Sequence, residues 1–318
     1  MKLIVTIDTE EDGWGHFSPT GHTVRNIERI PEIQGMFDSF EIRPTYLVTY
    51  PVLCNVNAVT ILKDIMDAGK CEIGMHCHPW NTPPFEEEMT ERNSMLCNLS
   101  PDLQLRKLTL LHRVIMDTFQ IRPVSFRSGR WACSDIVVRQ ISSLGYRVDS
   151  SITAYTDWSE YQGPDYSDIS PAPFRFSFGG IFTKSSNGSI VEVPATVGYL
   201  QGNYQLCNAI TKFLCRKAVR RLRLRGLLDR LRLVNKVVLS PEISESHKMI
   251  GLTRRLMRKN YPLINMHFHS TSLEPGLTQF VRDESEQNRL LDRIRQYLSF
   301  VRDKGIGSIT LSESVRYL

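Results

Sequence analysis

The stretch "EIGMHCHPW", residues 72–80, places two of the chain's eight histidines one residue apart, directly after a short apolar run. In extended backbone, positions i and i+2 share a face, so His76 and His78 present their imidazoles together while Cys77 points away. Two adjacent imidazoles fill a core poorly and hold a metal well. With one carboxylate they bind a divalent transition metal and leave positions open for water and substrate. Such an ion acidifies water and polarises a carbonyl. A second carboxylate outside the ligand set can take the water's proton, and a histidine on the far side can protonate a leaving group. An arginine can keep the base carboxylate charged. The chemistry is metal-assisted hydrolysis.

The chain carries residues for each part. "TIDTEED" offers Asp8, Glu10, Glu11 and Asp12; "FRSGRW" offers Arg127 and Arg130; "VDSS" offers Asp149; "MHFHSTS" offers His267 and His269. In parallel α/β folds, sites form beyond the carboxyl ends of the strands, where the loops converge. Each cluster also has a plainer reading. Acids after a first strand often cap the next helix. Neighbouring histidines can be a hydrogen-bonded loop pair, and Arg127 a structural ion-pair partner. One of His267 and His269 can be a satisfied core histidine. Trp80 and Trp131 can pack a core as readily as they make a sugar platform. Five strand ends that all carry ionisable groups are harder to explain this way.

Those strand ends need a scaffold. Short β-branched runs alternate with longer amphipathic stretches, which predicts α/β architecture with mostly parallel strands. Strands are expected at 3–7, 45–48, 72–76, 125–127, 147–149, 190–194, 263–269 and 308–311. Helices are expected at 23–40, 56–68, 104–118, 134–144, 211–234, 246–259 and 284–304. Gly69, Gly145 and Gly305 each follow a helix and precede a strand, the usual C-terminal stop. Stretches 79–100 and 155–190, rich in Pro, Ser, Gly and aromatics, read as long loops of the kind that carry binding groups.

Composition sets the outer limits. The 318 residues are 41% hydrophobic and 23% charged, which describes a globular chain and not a disordered one. The apolar runs fall short of the ~18–20 residues a spanning helix needs. The N-terminal stretch reads as a first strand and not as a secretory signal. Seven cysteines without CxxC spacing favour reduced thiols in a cytoplasmic protein.

The ordered set "TIDTE", "EIGMHCHPW", "FRSGRW", "VDSS" and "INMHFHS" resembles the five motifs of the polysaccharide deacetylases, the NodB-homology or carbohydrate esterase family 4 group. The resemblance spans about residues 3 to 275. It implies a distorted (β/α) barrel of the NodB-homology type with fewer than eight strands. It implies removal of an acyl group, usually acetyl, from an N-acyl sugar, with one divalent metal ion, zinc first among the candidates. By the same resemblance Asp8 is the catalytic base, Arg127 orients it, and His269 is the catalytic acid. Glu10, His76 and His78 are the metal ligands. Trp80, Arg130, Trp131, Asp149 and His267 are left for substrate binding. The chain departs from the usual pattern twice. Trp80 stands where the second metal histidine is expected, as in an "HxHPW" subgroup, and Glu10 replaces an aspartate, which extends the carboxylate by a methylene.

The charge distribution adds a feature of its own. Residues 212–236 hold ten basic residues and one acidic, a net of +9, against +5 for the whole chain. Apolar residues recur among them at broadly helical spacing. The region is expected to form a helical insertion, 205–260, within a single catalytic domain, 1–318. A basic amphipathic helix either packs on the barrel with a solvated face or lies on an anionic membrane surface. Nucleic acid is not an expected partner, because no recognition motif is present. With a cytoplasmic location this points to a nucleotide-linked or lipid-linked sugar in cell-surface glycan assembly. The competing readings are a deformylase or small cyclic amidase using the same residues, and a catalytically silent barrel that binds glycan.

Overall fold

The structure, a computed structural model, describes residues 1–13, 15–177, 180–184, 188–215, 226, 228 and 230–318, with 177 and 180–184 as backbone only. Seven strands run parallel in one curled sheet: β1 (Lys2–Thr9), β2 (Thr45–Val48), β3 (Glu72–Cys77), β4 (Ser125–Ser128), β5 (Val148–Asp149), β8 (Val191–Glu192) and β11 (Leu263–His269). Their spatial order is β11-β1-β2-β3-β4-β5-β8. An antiparallel pair, β6 (Phe174–Ser177) and β7 (Gly180–Lys184), extends the β8 edge. This is the expected distorted (β/α) barrel. The seam between β8 and β11 is bridged by β9 (Val197–Tyr199), β10 (Lys236–Val238) and the residues beside them. Thr196 N–H donates to Asn265 O (3.2 Å), and His267 N–H to Leu239 O (3.2 Å).

Helices cover the outside of the sheet, which is why the strands read as near-continuous apolar runs. Their ends follow local chemistry. Ser100 caps α4 (Pro101–Phe119) by accepting from Leu103 N–H, and Pro101 sits in the first turn, where a missing N–H costs nothing. Ser134 caps α5 (Asp135–Ser143) in the same way, and Asn55 caps α3 (Val56–Asp67). Helices α7 (Ser246–Arg258) and α8 (Glu284–Asp303) lie within a residue of the expected bounds.

Four expectations are corrected. The helix at 23–40 is a 3-10 turn, Arg25–Arg29, followed by α1 (Ile30–Ser39). Asp12 captures the N–H groups of Arg25 and Asn26 and tightens that first turn. The strand at 308–311 is a single bridge, Ser308 to Leu3. It covers the stretch of β1 below Thr6, where β2 pairing begins, and then turns into a 3-10 helix. Strands β6, β7, β9 and β10 were unexpected, because three to five residues carry too little periodicity to read. Finally, the helix expected at 211–234 begins earlier, as α6 (Tyr204–Cys215), and the chain has left helix before β10. Most of its basic run, 216–225, 227 and 229, lies outside the described residues.

Candidate active site and metal centre

The carboxyl ends of β1, β3 and β11 open into a cavity of about 580 Å³. Asp8, Glu10, His76, His78, His267 and His269 all line it. Asp8 and His269 are register partners on adjacent parallel strands, as are His76 and Arg127. His78 lies one residue beyond β3 but keeps extended backbone (φ −97°, ψ 113°). The i, i+2 rule therefore still holds, and both imidazoles reach the cavity.

The ring orientations are fixed from behind. His76 Nδ1 faces the carbonyl of Arg127 (3.1 Å), which only accepts, so that nitrogen carries the hydrogen. His78 Nδ1 faces Glu11 Oε1 (3.0 Å). Burial would raise the Glu11 carboxyl, but His78 beside it holds it down to about 2, so it too only accepts. Both Nε2 atoms are left as acceptors, 3.0 Å apart. Glu10 Oε2 stands 3.3 Å from His78 Nε2 and 3.8 Å from His76 Nε2. Burial pushes the Glu10 carboxyl up to about 8, helped by Glu11 and Asp8. With Glu10 ionised, three acceptors converge in a buried site and repel one another unless a cation joins them; without one, the Glu10 carboxyl holds a proton at neutral pH. Burial lowers the His78 imidazole, yet Glu11 and Glu10 raise it overall; the surroundings draw positive charge to this point. Two nitrogens and a carboxylate suit a divalent transition metal, so the donor set fits the expected ion.

Asp8 sits beside this group. Its Oδ1 takes Arg127 Nη1 at 2.5 Å, and its Oδ2 lies 3.9 Å from His76 Nε2 and 3.7 Å from His269 Nε2. Burial opposes its charge, but Arg127, His76 and His269 together outweigh burial and hold the carboxyl well below the usual range. Arg127 is itself locked inside the barrel. It donates to Ser150 O (2.8 Å), Thr6 Oγ1 (2.8 Å) and Ser150 Oγ (2.9 Å). Asn265 ties Thr6 to Ser150 from the other side. On the far side His269 Nδ1 faces Glu242 Oε2 at 3.0 Å. Burial would lower this imidazole, yet Glu242 and Glu10 push it up to about 10, so it holds a proton at neutral pH. A negatively charged carboxylate, Asp8, and a positively charged imidazole, His269, thus flank the Glu10–His76–His78 group, with pKa values driven apart by their surroundings.

The remaining expected residues divide. Arg130 and Trp131 line the cavity, both with left-handed backbone (φ 53° and 60°), a strained turn that aims two large side chains at the site. His267 also lines it, its ring edge-on to Trp131. Burial pushes its imidazole down to about 3. Trp80 lines the cavity too, but it stacks on His78 at 4.0 Å and donates Nε1–H to Glu11 Oε1. That ring face supports the His78 imidazole. Asp149 does not join the group. It is fully buried behind the sheet, against Cys133, Ser151 and Glu192.

Several residues of the site lay outside the sequence reading. Glu242 follows the three-residue β10, a strand too short to flag it. Lys107 on α4 is completely buried and donates to the carbonyls of Pro79 (2.9 Å), Thr82 (2.6 Å) and Pro84 (2.7 Å), pinning the loop after His78. The signal was present: a lysine on the apolar face of an amphipathic helix needs buried partners.

No family model and no curated protein matches the sequence. Solved structures do match. A protein described as a polysaccharide deacetylase from Mycobacterium smegmatis superposes with a TM-score of 0.56 at 14% identity, over 99% of this chain and 89% of its own. One described as a glycoside hydrolase or deacetylase from Parabacteroides distasonis gives 0.56 at 11%, over 98% and 70%. The fold is that of the polysaccharide deacetylases. The deacetylase fold is not confined to that chemistry. A 4-alpha-glucanotransferase from Thermococcus litoralis gives 0.56 at 13%, over all of this chain and 40% of its own. At such identities the likeness concerns the backbone, and function has to be argued from the side chains.

Proposed function

We propose that the protein is a metal-dependent hydrolase of the carbohydrate esterase family 4 type, in its "HxHPW" form, that removes an N-acyl group from a sugar. Acetyl is the leading acyl group and zinc the leading metal. The observation that carries this reading is the convergence of Glu10, His76 and His78 between the Asp8–Arg127 pair and the His269–Glu242 pair. A divalent ion held by those three residues would supply Lewis acidity toward an amide carbonyl and toward water.

The chain's own groups do the rest. Asp8 Oδ2, the oxygen that Arg127 does not take, accepts the proton of the attacking water. The water oxygen bonds to the acyl carbon, and the C–N bond breaks. His269, protonated under Glu242, donates from Nε2 to the departing nitrogen, giving a free amine and a carboxylic acid. Asp8 Oδ2 lies 3.7 Å from His269 Nε2, a gap that one bridging water spans, so the proton gained by Asp8 can return to His269. Trp131 and Arg130 bound the space for the sugar.

Two features bear on the setting. Seven unpaired cysteines suit a reducing, cytoplasmic compartment. Among the described residues no helix is long and apolar enough to cross a membrane. Leu206, Phe213, Leu231 and Leu233, exposed by 51 to 57%, flank the basic run. They support peripheral contact of 211–236 with an anionic bilayer and a role in cell-surface glycan assembly.

The test is turnover. Zinc-loaded protein is offered N-acetylated and N-formylated amino sugars, and released acid and amine are measured. Release of acetate supports the reading. Release of formate alone makes the protein a deformylase. Bound metal without any hydrolysis leaves a glycan-binding barrel.

A further inference from the structure

The inward face of β11 is a ladder of polar side chains. Alternate residues of a strand share a face, so Asn265, His267 and His269 stand one above another, with His269 at the open end. Their register partners on β1 are Ile4, Thr6 and Asp8. The bottom of the ladder is closed. Thr6 Oγ1 donates to Asn265 Oδ1, Asn265 Nδ2 donates to Ser150 Oγ, and Arg127 Nη2 donates to both hydroxyls. All four residues are fully buried. The top holds the reacting pair, His269 and Asp8. His267 therefore lines the innermost part of the cavity, about 7 Å below His269 along the strand.

His267 differs from its neighbours in one respect. It is only 4% exposed, and its Nδ1 is buried with no hydrogen-bond partner among the described residues. The imidazole is neutral, pushed down to about 3 by burial first and by Arg127 next, so it carries one hydrogen. Buried N–H donors are left unpaired more rarely than buried acceptors. The hydrogen therefore belongs on Nε2, and the sealed Nδ1 keeps a lone pair. Nε2 is then the nitrogen that a bound molecule meets. This reverses the arrangement at His76 and His78, whose Nδ1 atoms face acceptors behind them. The innermost wall of the cavity presents one neutral N–H donor.

We propose that His267 hydrogen-bonds the acyl group of the substrate, and that this group is an acetyl carrying a hydroxyl, a glycolyl group. The inference rests on the amide-hydrolase reading for the direction of the amide, whose nitrogen must face His269. A secondary amide is planar and trans, so its two carbon substituents point opposite ways. The sugar is too large for the closed end and takes the open one. The acyl substituent then points inward, to His267. Trp131, whose ring meets His267 edge-on at 5.1 Å, bounds this inner space as well as the sugar's. A bare methyl there leaves the Nε2–H buried without an acceptor. A hydroxyl on the carbon next to the carbonyl supplies that acceptor, and a neutral imidazole suits a neutral hydroxyl better than a carboxylate. A site built to bond a hydroxyl rejects the analogue that lacks it.

The experiment uses zinc-loaded wild type, H267L and H267Q of matched zinc content. N-glycolylglucosamine is compared with N-acetylglucosamine as substrate, by kcat/KM. Glycolate is compared with acetate as ligand, by calorimetry. Wild type should favour the glycolyl substrate and glycolate by about tenfold or more. H267L should lose the substrate preference. H267Q should keep it, because its amide nitrogen donates from nearly the same place. Glycolate also chelates zinc, and that part of its preference survives in H267L; an equal preference in wild type and H267L would overturn the proposal. So would a wild type that favours the acetyl substrate. If neither amide is hydrolysed while glycolate binding still depends on His267, the hydrolase reading fails and the acyl pocket stands. Should H267L fail to fold, the tautomer decides. Proton–nitrogen correlation spectra of labelled wild type, with His267 assigned through H267Q, should place its hydrogen on Nε2 and show that signal moving with glycolate and not with acetate. A hydrogen on Nδ1 would overturn the proposal.

Discussion

Gly129 lies directly against the imidazole of His78. A Cβ at position 129 would overlap His78 Cδ2 and come within 2.8 Å of Cys77 O. The glycine of "FRSGRW" is therefore required by close approach. Gly129→Ala must push the imidazole out of line with His76. Disturbing the support of a ligand typically costs about 10- to 100-fold in metal affinity. The expected result is a loss of that size in a zinc competition titration. Unchanged affinity would mean that His78 is not a ligand.

His76→Ala should empty the metal site, since it removes one of three protein ligands. Glu11→Gln should weaken the site less, because it removes only the charge of the acceptor that fixes His78 and keeps an amide oxygen in its place. Zinc content after dialysis measures both. Full occupancy in His76→Ala would sink the assignment.

Asp8→Asn should keep the metal and lose about a hundred- to ten-thousand-fold in turnover, the range for a general base. Glu10→Gln should lose the metal. The opposite pattern would exchange the two roles. His269→Gln should reduce turnover more than His267→Gln, because Glu242 charges only His269.

Asp149 and Glu192 sit side by side on β5 and β8, both fully buried, and burial raises both carboxyls. Their ordinary values are 3.8 and 4.5. A group raised on folding contributes stability that is present below its unfolded value and is lost as pH rises through its folded value. This pair should therefore make the protein progressively less stable from about pH 4.5 upward. Glu192→Gln keeps an acceptor for Ile152 N–H and offers a permanent donor to Asp149. The expected outcome is a flatter melting temperature between pH 4.5 and 8, with the variant gaining on wild type as pH rises. Parallel curves would mean that the pair does not share a proton.

The basic run should bind anionic vesicles in a salt-sensitive way and neutral ones weakly. Each Lys or Arg near an anionic surface is worth roughly 1 kcal/mol. Changing Arg220, Arg221, Arg223 and Arg225 together to Gln should abolish co-sedimentation at low salt. Wild type that ignores anionic vesicles would make this surface an ordinary solvated face.

What the amino-acid sequence determines by itself is local. The i, i+2 spacing of His76 and His78 puts both rings on one face of extended chain, and it does so even though β3 stops at Cys77. Apolar runs mark the parallel strands, so the polar residues that follow them had to gather at one end of the sheet. Helices with a clear stop or cap, such as α3 and α8, were legible nearly to the residue. Short elements were not. β5 has two residues, too few to show which face Asp149 takes, and a period of two sends it behind the sheet while Ser150 turns inward to Arg127. Glu242 is distant in sequence from every motif and reaches His269 only because β10 bridges the barrel seam. Lys107 and Gly129 matter through contacts across the fold, with the carbonyls of the 79–84 loop and with the His78 ring. Such contacts depend on where separate elements pack, and periodicity along the chain carries no record of that.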